Sequence, residues 1–400
     1  MSDTVGAGYA PWPVFDDEQV DAVSRILRSG RVNYWTGDEG RSFEAEFAEQ
    51  VGIEHAVFVA NGTVGLEAAL QALDLRPGSQ VVTTPRTFIA TSSSIVRTGL
   101  VPVFADIDPE SGNITAGTIE AALTPETTAV SVVHLGGWPA DMPAIRRLCD
   151  ERGLALIEDC SQAHGAMIGD RHVGTFADIS VWSFCQDKII TTGGEGGMVA
   201  TDDHAVWQRV WSIKDHGKSW AAVYEREHPP GFRWLHESFG SNFRGTEVQA
   251  AIGRIQYRRL ADWRADRTRN AIALADALAD VPAVTVPLPD ASLTHAYYRQ
   301  YAYLDVDRLA PGWARDRVLS EVSRRQPIPV LTGSCSEIYR EVAFDTAPWQ
   351  ARKPLVQAEA MSERGIAFLV HPGLTRDDMV RQAGALADVL SEALDGGLAP

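Results

Sequence analysis

The sequence predicts an α/β protein in which a large, mostly parallel β-sheet domain is followed by a smaller α/β domain. Up to about residue 245, short apolar runs alternate with helical patterns, which is typical of a parallel sheet covered by helices on both faces. After that point, a long helical stretch leads into a mixture of short strands and helices. We therefore expect a large domain over residues 1–255 and a small carboxyl-terminal domain over residues 256–400.

Each element has its own local signal. Apolar runs rich in strand-forming residues predict strands over residues 55–62, 79–85, 101–107, 128–137, 154–160 and 177–184. The helical spacing of apolar residues predicts helices over residues 63–75 and 88–99. In the second part, residues 246–281 form the long helical stretch, residues 299–306 predict a strand, and residues 376–397 predict an amphipathic helix.

Composition and charge exclude several classes of function. The 400 residues carry a formal net charge of −17, and no long cluster of lysine and arginine offers the basic face that nucleic acid binding needs. The first residues lack the basic region and apolar core of a signal peptide, and no apolar run approaches the roughly 18 residues of a membrane helix. We therefore expect a cytoplasmic protein with no membrane partner. The scattered cysteines lack metal-site spacing and fit free thiols in a reducing compartment; they are Cys149, Cys160, Cys185 and Cys335.

The stretch SVWSFCQDKIITTGGEGG contains one lysine, Lys188, between a predicted strand and a glycine-rich loop. A lysine buried at such a place is costly unless it takes part in chemistry. Two other features fit one site with it. Asn61, Gly62 and Thr63 stand between a predicted strand and a predicted helix, where free N–H groups suit a phosphate. Asp159 stands at the carboxyl end of a strand, where α/β sheets bind ligands.

Taken singly, the first of these features also fits a helix cap, and Asp159 also fits a turn residue. Together, a phosphate cradle, an acid at a strand end and a lysine before a glycine loop are what pyridoxal phosphate requires. The lysine forms a Schiff base with the aldehyde of the cofactor, and the acid keeps the ring nitrogen protonated so that the ring accepts electrons. The residues therefore predict a pyridoxal phosphate enzyme without a metal.

The chain resembles the DegT/DnrJ/EryC1/StrS aminotransferases, the sugar aminotransferases of fold type I, over nearly its whole length. The resemblance is carried, in the family's order, by the segments NGTVGLEAAL, TPRTFIATSSSI, PVFADID, IEDCSQAHGA, SFCQDKIITTGGEGGMV, SNFRGTEVQAAIG and HPGL. It implies a pyridoxal-phosphate-dependent transferase fold like that of aspartate aminotransferase, with a large, mostly parallel seven-stranded sheet. It also implies a homodimer with two shared active sites.

The resemblance implies a role for each matching position. Lys188 is the Schiff-base lysine, Asp159 is the partner of the pyridinium nitrogen, and Gln162 lies near the ring hydroxyl. Phe88 stacks on the ring, for which an aromatic face is suited. Phosphate contacts are implied for Gly62, Thr63, Ser183 and, from the second subunit, Asn242. Without the resemblance, Phe88 also fits the apolar core and Gln162 also fits a helix surface.

Other polar residues of these motifs have less defined roles. His164 fits a structural histidine, because Lys188 can serve as the base. His371 fits either the substrate entrance or a turn before Pro372. Asp187 stands where many family members have proline or threonine. Because neighbours on an extended strand point to opposite faces, we expect Asp187 to point away from Lys188.

The implied reaction has two halves. An amino acid, glutamate or glutamine, gives its amino group to the cofactor, and a keto sugar then takes it, which predicts ping-pong kinetics. The leading acceptor is a keto-deoxy sugar linked to a nucleotide diphosphate. Candidate cations for the diphosphate, all on predicted loops, are Arg31, Arg86, Lys218 and Arg233. Gln186 is instead similar to a glutamine of the ketocyclitol aminotransferases, which makes a ketocyclitol of the scyllo-inosose type the alternative acceptor.

Two further interpretations are less favoured. One is a sugar dehydratase that depends on pyridoxamine phosphate, and the other is a regulator that binds the cofactor without turnover. Dehydratases of this family have histidine in place of the lysine, and a regulator is expected to lose Lys188 or Asp159. Both residues are present.

Overall fold

The structure, a computed structural model, describes residues 8–231, 233–345 and 354–394. The strands in these residues are β1 His55–Val59, β2 Gln80–Thr83, β3 Val101–Phe104, β4 Thr127–Val133, β5 Ala155–Asp159, β6 Met167–Ile168, β7 Arg171–His172, β8 Ile179–Ser183, β9 Gly197–Thr201, β10 Val284–Thr285, β11 Leu293–Thr294, β12 Gln300–Leu304, β13 Val330–Leu331 and β14 Gly365–Phe368. The α-helices are α1 Asp17–Ser29, α2 Glu39–Val51, α3 Gly62–Ala72, α4 Ala90–Arg97, α5 Ala116–Ala122, α6 Met142–Arg152, α7 His204–Lys214, α8 Trp220–Tyr224, α9 Glu247–Arg258, α10 Leu260–Leu278, α11 Arg315–Arg325, α12 Val356–Arg364 and α13 Arg376–Leu394. Single 3-10 turns cover Leu135–Gly137, Val306–Arg308, Ile338–Arg340 and Val342–Phe344.

The main sheet has seven strands in the spatial order β1-β9-β8-β5-β4-β2-β3. β9 is antiparallel to both of its neighbours, and the remaining neighbouring pairs are parallel. The six strands predicted for the first part of the chain all belong to this sheet, and β9, which follows the glycine-rich loop, is the seventh. The prediction of an α/β protein with a mostly parallel sheet is therefore confirmed.

Side-chain caps fix the starts of two helices that border the candidate site. α3 begins at Gly62, and the side-chain oxygen of Asn61 accepts a hydrogen bond from the N–H of Val64 (3.0 Å). α9 follows Thr246, whose side chain forms a reciprocal capping box with Gln249. Such caps satisfy N–H groups that have no partner inside the helix.

The helical stretch predicted over residues 246–281 consists of two helices, α9 and α10. Between them the N–H of Arg259 bonds to the carbonyl of Gln256, three residues earlier (3.0 Å), which tightens the last turn of α9. α9 packs against α1 and α2, whereas α10 packs against α13. Residue 256, the predicted start of the small domain, lies within α9, and the domain boundary stays a prediction.

The carboxyl-terminal part has its own antiparallel sheet, in the order β10-β12-β14-β13. The strand predicted over residues 299–306 is β12. Side chains of this sheet share an apolar core with α10, α11 and α13. A small third sheet, β11-β6-β7, joins the two parts of the chain, because Leu293 pairs with Ile168. No helix in the described ranges combines the length and the apolar character needed to cross a membrane.

An aromatic cluster ties α2 and α9 to the main sheet. Phe47 of α2 lies edge-on to Trp182 of β8, with ring centroids 4.8 Å apart, and it stacks on Tyr257 of α9 at 5.1 Å. Phe184, directly after β8, lies 6.2 Å from Phe47. All four side chains are buried, so this cluster fixes the carboxyl end of β8.

Replacement of Phe47 tests the contribution of this cluster to stability. Phe47→Ala removes a ring that is 1% exposed and leaves a cavity, so we expect the free energy of unfolding to fall by about 3–5 kcal/mol. Val20→Ala is the control, because Val20 on α1 is 55% exposed and its replacement should change stability by no more than about 0.5 kcal/mol. Urea unfolding followed by tryptophan fluorescence measures both variants. A loss as small as that of the control would contradict the role of Phe47.

Candidate active site

The predicted acid, Asp159, lies at the carboxyl ends of the parallel strands of the main sheet. Asp159 is the last residue of β5 and is 4% exposed. Its Oδ2 accepts a hydrogen bond from the hydroxyl of Thr91 (3.2 Å), and its Oδ1 accepts one from the N–H of Ser161 (3.1 Å). These two bonds fix the orientation of a buried carboxyl group.

Gln162 lies in the loop that follows β5. It is buried, and its Oε1 accepts a hydrogen bond from the N–H of Gly136, in the loop that follows β4 (2.7 Å). The amide therefore joins the loops at the ends of two neighbouring strands. The alternative that Gln162 lies on a helix surface is wrong.

The predicted phosphate contacts converge where α3 begins. Gly62 is the first residue of α3, and a Cβ atom at this position would lie 2.7 Å from the Cβ of Ser183, the last residue of β8. Only glycine permits this close approach. The half-buried Thr63 follows in the first turn of the helix, where N–H groups lack intrahelical partners and attract anions. Gly62, Thr63 and Ser183 therefore surround one helix start that suits a phosphate.

Lys188 lies in a turn after β8. Its N–H donates to the carbonyl of Cys185 (3.1 Å), and its own carbonyl accepts a hydrogen bond from the indole N–H of Trp12 (2.9 Å). The amine, Nζ, lies 4.8 Å from the centroid of the Tyr298 ring. The backbone of the lysine is thus held on two sides, and its amine faces an aromatic ring.

The charges around Lys188 favour its ammonium form. Burial alone would lower the pKa of this amine. Tyr298, Asp187 and Asp159 act in the opposite direction and prevail, so that the pKa of Lys188 is raised above its ordinary value. A free Lys188 amine therefore holds a proton at neutral pH.

The prediction that Asp187 points away from Lys188 assumed an extended strand, which the structure does not have at these residues. The two residues lie in a turn, where side chains do not alternate between faces as they do on a strand. The Asp187 carboxylate accepts a short hydrogen bond from the hydroxyl of Tyr298 and lies 3.4 Å from Nη2 of Arg299. Partial burial tends to raise the pKa of Asp187, but the charge of Lys188 and these two contacts lower it.

The two histidines that the motifs single out are buried and neutral. Burial and the charges of Lys188 and Arg267 lower the pKa of His164 to about 3. Burial and two nearby arginines lower the pKa of His371 to about 3. His371 stacks on Trp12, with centroids 5.8 Å apart, and is 2% exposed, so it does not line an entrance. Neither ring is an acid or base near neutral pH, which agrees with a structural role for His164.

Phe88 and Asn242 are both exposed on the single chain. Phe88 is 69% exposed and precedes α4 by one turn, and its carbonyl accepts a hydrogen bond from the N–H of Thr91 (3.2 Å). The alternative that Phe88 belongs to the core is therefore wrong. Asn242 forms an antiparallel bridge with Asp215. The contacts of Phe88 to a cofactor ring and of Asn242 to a phosphate stay predictions.

A positively charged pocket of about 370 Å³ lies beside the strand-like segment of Asn242 and is lined by Asn33, Trp35, His216, Lys218, His236 and Arg244. Asp215, which is buried, pairs with both Lys218 Nζ (3.0 Å) and Arg244 Nη1 (2.6 Å). Its Oδ2 also accepts a hydrogen bond from the indole of Trp35 (2.6 Å), over whose ring Lys218 lies at 4.3 Å. One carboxylate thus holds two cations, which leaves a local positive charge in a chain of net charge −17.

Of the four cations proposed for a diphosphate, only Lys218 lines this pocket. Arg86 is 1% exposed, lies over the ring of Tyr301 at 4.8 Å and donates to the hydroxyl of Tyr303 (3.0 Å). The prediction for Arg86 is therefore wrong, because its charge is enclosed by the carboxyl-terminal sheet. Arg31 and Arg233 are exposed and lie outside the pocket lining.

A buried group of potential metal ligands, His134, Glu158 and Cys160, lies beneath the site. The Nδ1 of His134 accepts a hydrogen bond from the N–H of Ala140 (3.0 Å). The proton of the neutral ring is therefore on Nε2, which faces Glu158 Oε2 at 3.8 Å. The N–H of Gly174 also donates to Glu158. Because ligating histidines normally donate from their other nitrogen, this arrangement fits a structural hydrogen-bond cluster better than a metal centre.

The spacing of the motifs along the chain did not predict three residues that contact the candidate site: Thr91, Trp12 and Tyr298. Thr91 does stand inside the motif TPRTFIATSSSI, so a signal for it existed. Trp12 is 176 positions from Lys188, and Tyr298 is 111 positions from Asp187. Nothing in the local sequence connects such distant residues.

Known proteins resemble this chain over almost its full length. Among curated proteins, it is 33% identical over 383 residues to a UDP-N-acetyl-3-dehydro-α-D-glucosamine 3-aminotransferase of Acidithiobacillus ferrooxidans, with 95% of each chain covered. It is 32% identical over 391 residues to a dTDP-4-dehydro-2,3,6-trideoxy-D-glucose 4-aminotransferase of Saccharopolyspora spinosa, with 96% of each chain covered.

A solved structure and a family model give the same result. The structure of an aminotransferase from Psychrobacter cryohalolentis matches with a TM-score of 0.93 and 49% identity, covering 96% of this chain and 99% of that one. The aminotransferase fold expected from the resemblance is thereby confirmed. Residues 13–386 match the model of the DegT/DnrJ/EryC1/StrS aminotransferase family. The chain therefore belongs to the DegT/DnrJ/EryC1/StrS aminotransferase family.

Proposed function

We propose that this aminotransferase uses pyridoxal 5'-phosphate to move an amino group from glutamate or glutamine to a keto sugar linked to a nucleotide diphosphate. The observation that carries the proposal is the arrangement of residues at the carboxyl ends of strands β5 and β8. There, Asp159 ends β5, Lys188 follows the neighbouring strand β8, and the helix start at Gly62 packs against the end of β8.

The residues present fit this cofactor. Asp159, held by two hydrogen bonds, would pair with the protonated ring nitrogen, and Gln162 would face the ring hydroxyl. The helix start with Gly62, Thr63 and Ser183 would hold the phosphate, since the first N–H groups of a helix lack intrahelical partners and attract anions. When bound, the cofactor supplies an electron-withdrawing ring next to the bond that breaks.

Lys188 moves the protons of both half-reactions. In its neutral form, Nζ takes the proton from the α-carbon of the amino acid donor, and in the second half its ammonium form returns a proton to the carbon of the sugar that receives the amine. Groups that raise the pKa of Lys188 stabilise the ammonium that the first transfer creates. Phe88 would cover the ring with its aromatic face.

The nature of the acceptor is supported by the relatives and by the charged pocket. The two curated relatives are named for a 3-dehydro UDP-sugar and a 4-dehydro dTDP-sugar. A diphosphate is a dianion, and Lys218 and Arg244 place excess positive charge beside the indole of Trp35. Phosphate and aromatic base are the groups that such a pocket recognises. A ketocyclitol carries no diphosphate and would therefore leave the cations of this pocket without an anionic partner.

The proposed assembly is a homodimer in the cytoplasm. Asn242 lies two residues before Arg244, which lines the charged pocket, so the two features are neighbours. In a dimer with shared sites, this segment would bring Asn242 to the phosphate of the partner's cofactor and the charged pocket to the partner's substrate.

Transamination by the purified protein tests the proposed function. With glutamate as donor and a panel of keto nucleotide sugars and scyllo-inosose as acceptors, we expect amination of a nucleotide sugar. The protein should show a visible absorbance band that borohydride removes. Lys188→Ala should lose both the band and the activity with the fold intact. Turnover by Lys188→Ala at the wild-type rate, or amination of scyllo-inosose alone, would contradict the proposal.

Asp159→Asn separates binding of the cofactor from its chemistry. The amide keeps the shape of the side chain but not its charge, so it does not hold the ring nitrogen in its protonated form. We expect cofactor to remain bound and kcat to fall by about 10²- to 10³-fold or more. Cofactor content is measured by absorbance and kcat by amino-sugar formation. A variant as active as the wild type would refute the pairing of Asp159 with the ring.

Asn242 should act across the subunit interface. Its amide would donate to a phosphate oxygen of the partner's cofactor, so Asn242→Ala should weaken cofactor retention by about tenfold to a hundredfold. Two inactive variants, Lys188→Ala and Asn242→Asp, are then mixed and allowed to exchange subunits. If Asn242 acts in trans, both lesions fall in one site, the other site is intact, and activity returns.

The same mixture distinguishes the opposite arrangement. If Asn242 serves the cofactor of its own subunit, each site of the mixed dimer carries one lesion and no activity returns. Subunit exchange is verified with differently tagged chains. Exchange without recovered activity would overturn the shared site.

A further inference from the structure

We propose that Asp187, Tyr298 and Arg299 form a hydrogen-bonded group that positions the amine of Lys188, with Tyr298 as its central member. The inference rests on the proposed function, in which Lys188 carries the protons. It assigns a role to two residues of the carboxyl-terminal part and explains the carboxylate that precedes the lysine.

Tyr298 contacts the lysine and the carboxylate with different parts of its side chain. The face of its ring lies 4.8 Å from Lys188 Nζ, a distance at which a ring attracts a cation. Its hydroxyl donates a short hydrogen bond to Asp187. One side chain therefore couples the position of the carboxylate to the position of the amine.

Arg299 completes the group. Its Nη2 lies 3.4 Å from Asp187 Oδ2, and its Nη1 donates to the carbonyl of Tyr298 (3.2 Å). Its guanidinium also lies over the Tyr298 ring at 4.4 Å. Tyr298 is 8% exposed and directly precedes Arg299 and β12. The ring is thus held by its hydroxyl, by its own backbone and by the neighbouring arginine, so it presents one fixed face to Lys188.

Several elements place titratable or charged groups around Lys188. The groups are Cys185 and Asp187 in its own turn, Asp159 on β5, His164 in the loop after β5, Arg267 on α10, and Tyr298 and Arg299 ahead of β12. Among them, Asp187 and Asp159 are the carboxylates. Asp159 is committed to the ring nitrogen in the proposed function, which leaves Asp187 as the carboxylate that can favour the ammonium form of a released Lys188.

The charge of Asp187 affects the pKa of Lys188 in a direction that can be predicted. A negative charge beside an amine raises its pKa, so removal of the Asp187 charge should lower the pKa of Lys188 and increase its neutral fraction below that pKa. Tyr298→Phe keeps the ring but removes the bond that holds the carboxylate. The effect of replacing Asp187 should therefore be smaller in the Tyr298→Phe background.

Chemical labelling of Lys188 measures the neutral fraction of its amine without reliance on enzyme activity. The full-length protein, freed of cofactor, is acetylated with an amine-reactive ester over a range of pH, and the Lys188 peptide is quantified by mass spectrometry. Because the neutral amine reacts, Asp187→Asn should label about three- to tenfold faster than the wild type below the midpoint, as a pKa drop of up to one unit requires. In the Tyr298→Phe background, Asp187→Asn should change the rate by less than about twofold.

Glu195→Gln is the matched control, because Glu195 is an exposed carboxylate in the same glycine-rich loop. Its replacement removes an equal charge and should leave the labelling rate within about twofold of the wild type. Circular dichroism verifies that each variant is folded. An equal rate in Asp187→Asn and wild type, an equal increase in Glu195→Gln, or an undiminished Asp187 effect in the Tyr298→Phe background would overturn the inference.

The pH profile of kcat gives a second measure of the effect of Asp187 on Lys188. The experiments also distinguish a failure of this inference from a failure of the proposed function. In the loaded enzyme, Asp187→Asn should shift the limb of the profile that reports Lys188 to lower pH, whereas a merely structural loss would lower kcat without moving it. If the wild type does not transaminate, the proposed function fails while the labelling result still decides the role of Asp187. If the wild type transaminates and the labelling rates do not differ, the inference alone fails.

Discussion

The parallel register of β4, β5 and β8 is the constraint on which the candidate active site depends. In this register Asp159 stands between Val133 on one side and Val181 on the other. A slip of one residue would turn every side chain of β5 to the opposite face. Asp159 would then exchange places with Glu158, which is buried beneath the site and bonded to Gly174. The direction of the Asp159 side chain is thus set by the hydrogen bonds that β5 makes with β4 and β8.

The environment of Lys188 is assembled from three distant parts of the chain. The loop between β8 and β9 supplies the lysine, the amino-terminal segment supplies the Trp12 hydrogen bond, and the residues ahead of β12 supply the ring of Tyr298. Lys188 is half-buried, and Tyr298, Asp187 and Asp159 counter the effect of this burial on its pKa. The same groups that stabilise the lysine in the fold therefore also set its proton affinity.

The net charge of the chain does not show where its positive charges lie in the fold. The net charge of −17 says nothing about the pocket of Lys218 and Arg244, where one buried carboxylate, Asp215, holds two cations. Arg86 shows the opposite case, because its charge stabilises packing between two sheets and faces no ligand. The place of each cation in the fold, and not the total charge, thus decides whether it lines a pocket or is enclosed.

The sequence by itself determined the fold class, six of the seven strands of the main sheet and the positions of Lys188 and Asp159, because each depends on a local pattern of a strand followed by a turn or loop. Only the tertiary structure decided that Asp187 bonds to Tyr298, whose ring faces the lysine, and that Arg86 is enclosed. Side chains in a turn follow its particular dihedral angles and not a simple alternation, and burial depends on what packs against a residue. Tyr298 reaches Asp187 across 111 positions of the chain, and such a contact exists only once these two distant parts of the chain have folded against each other.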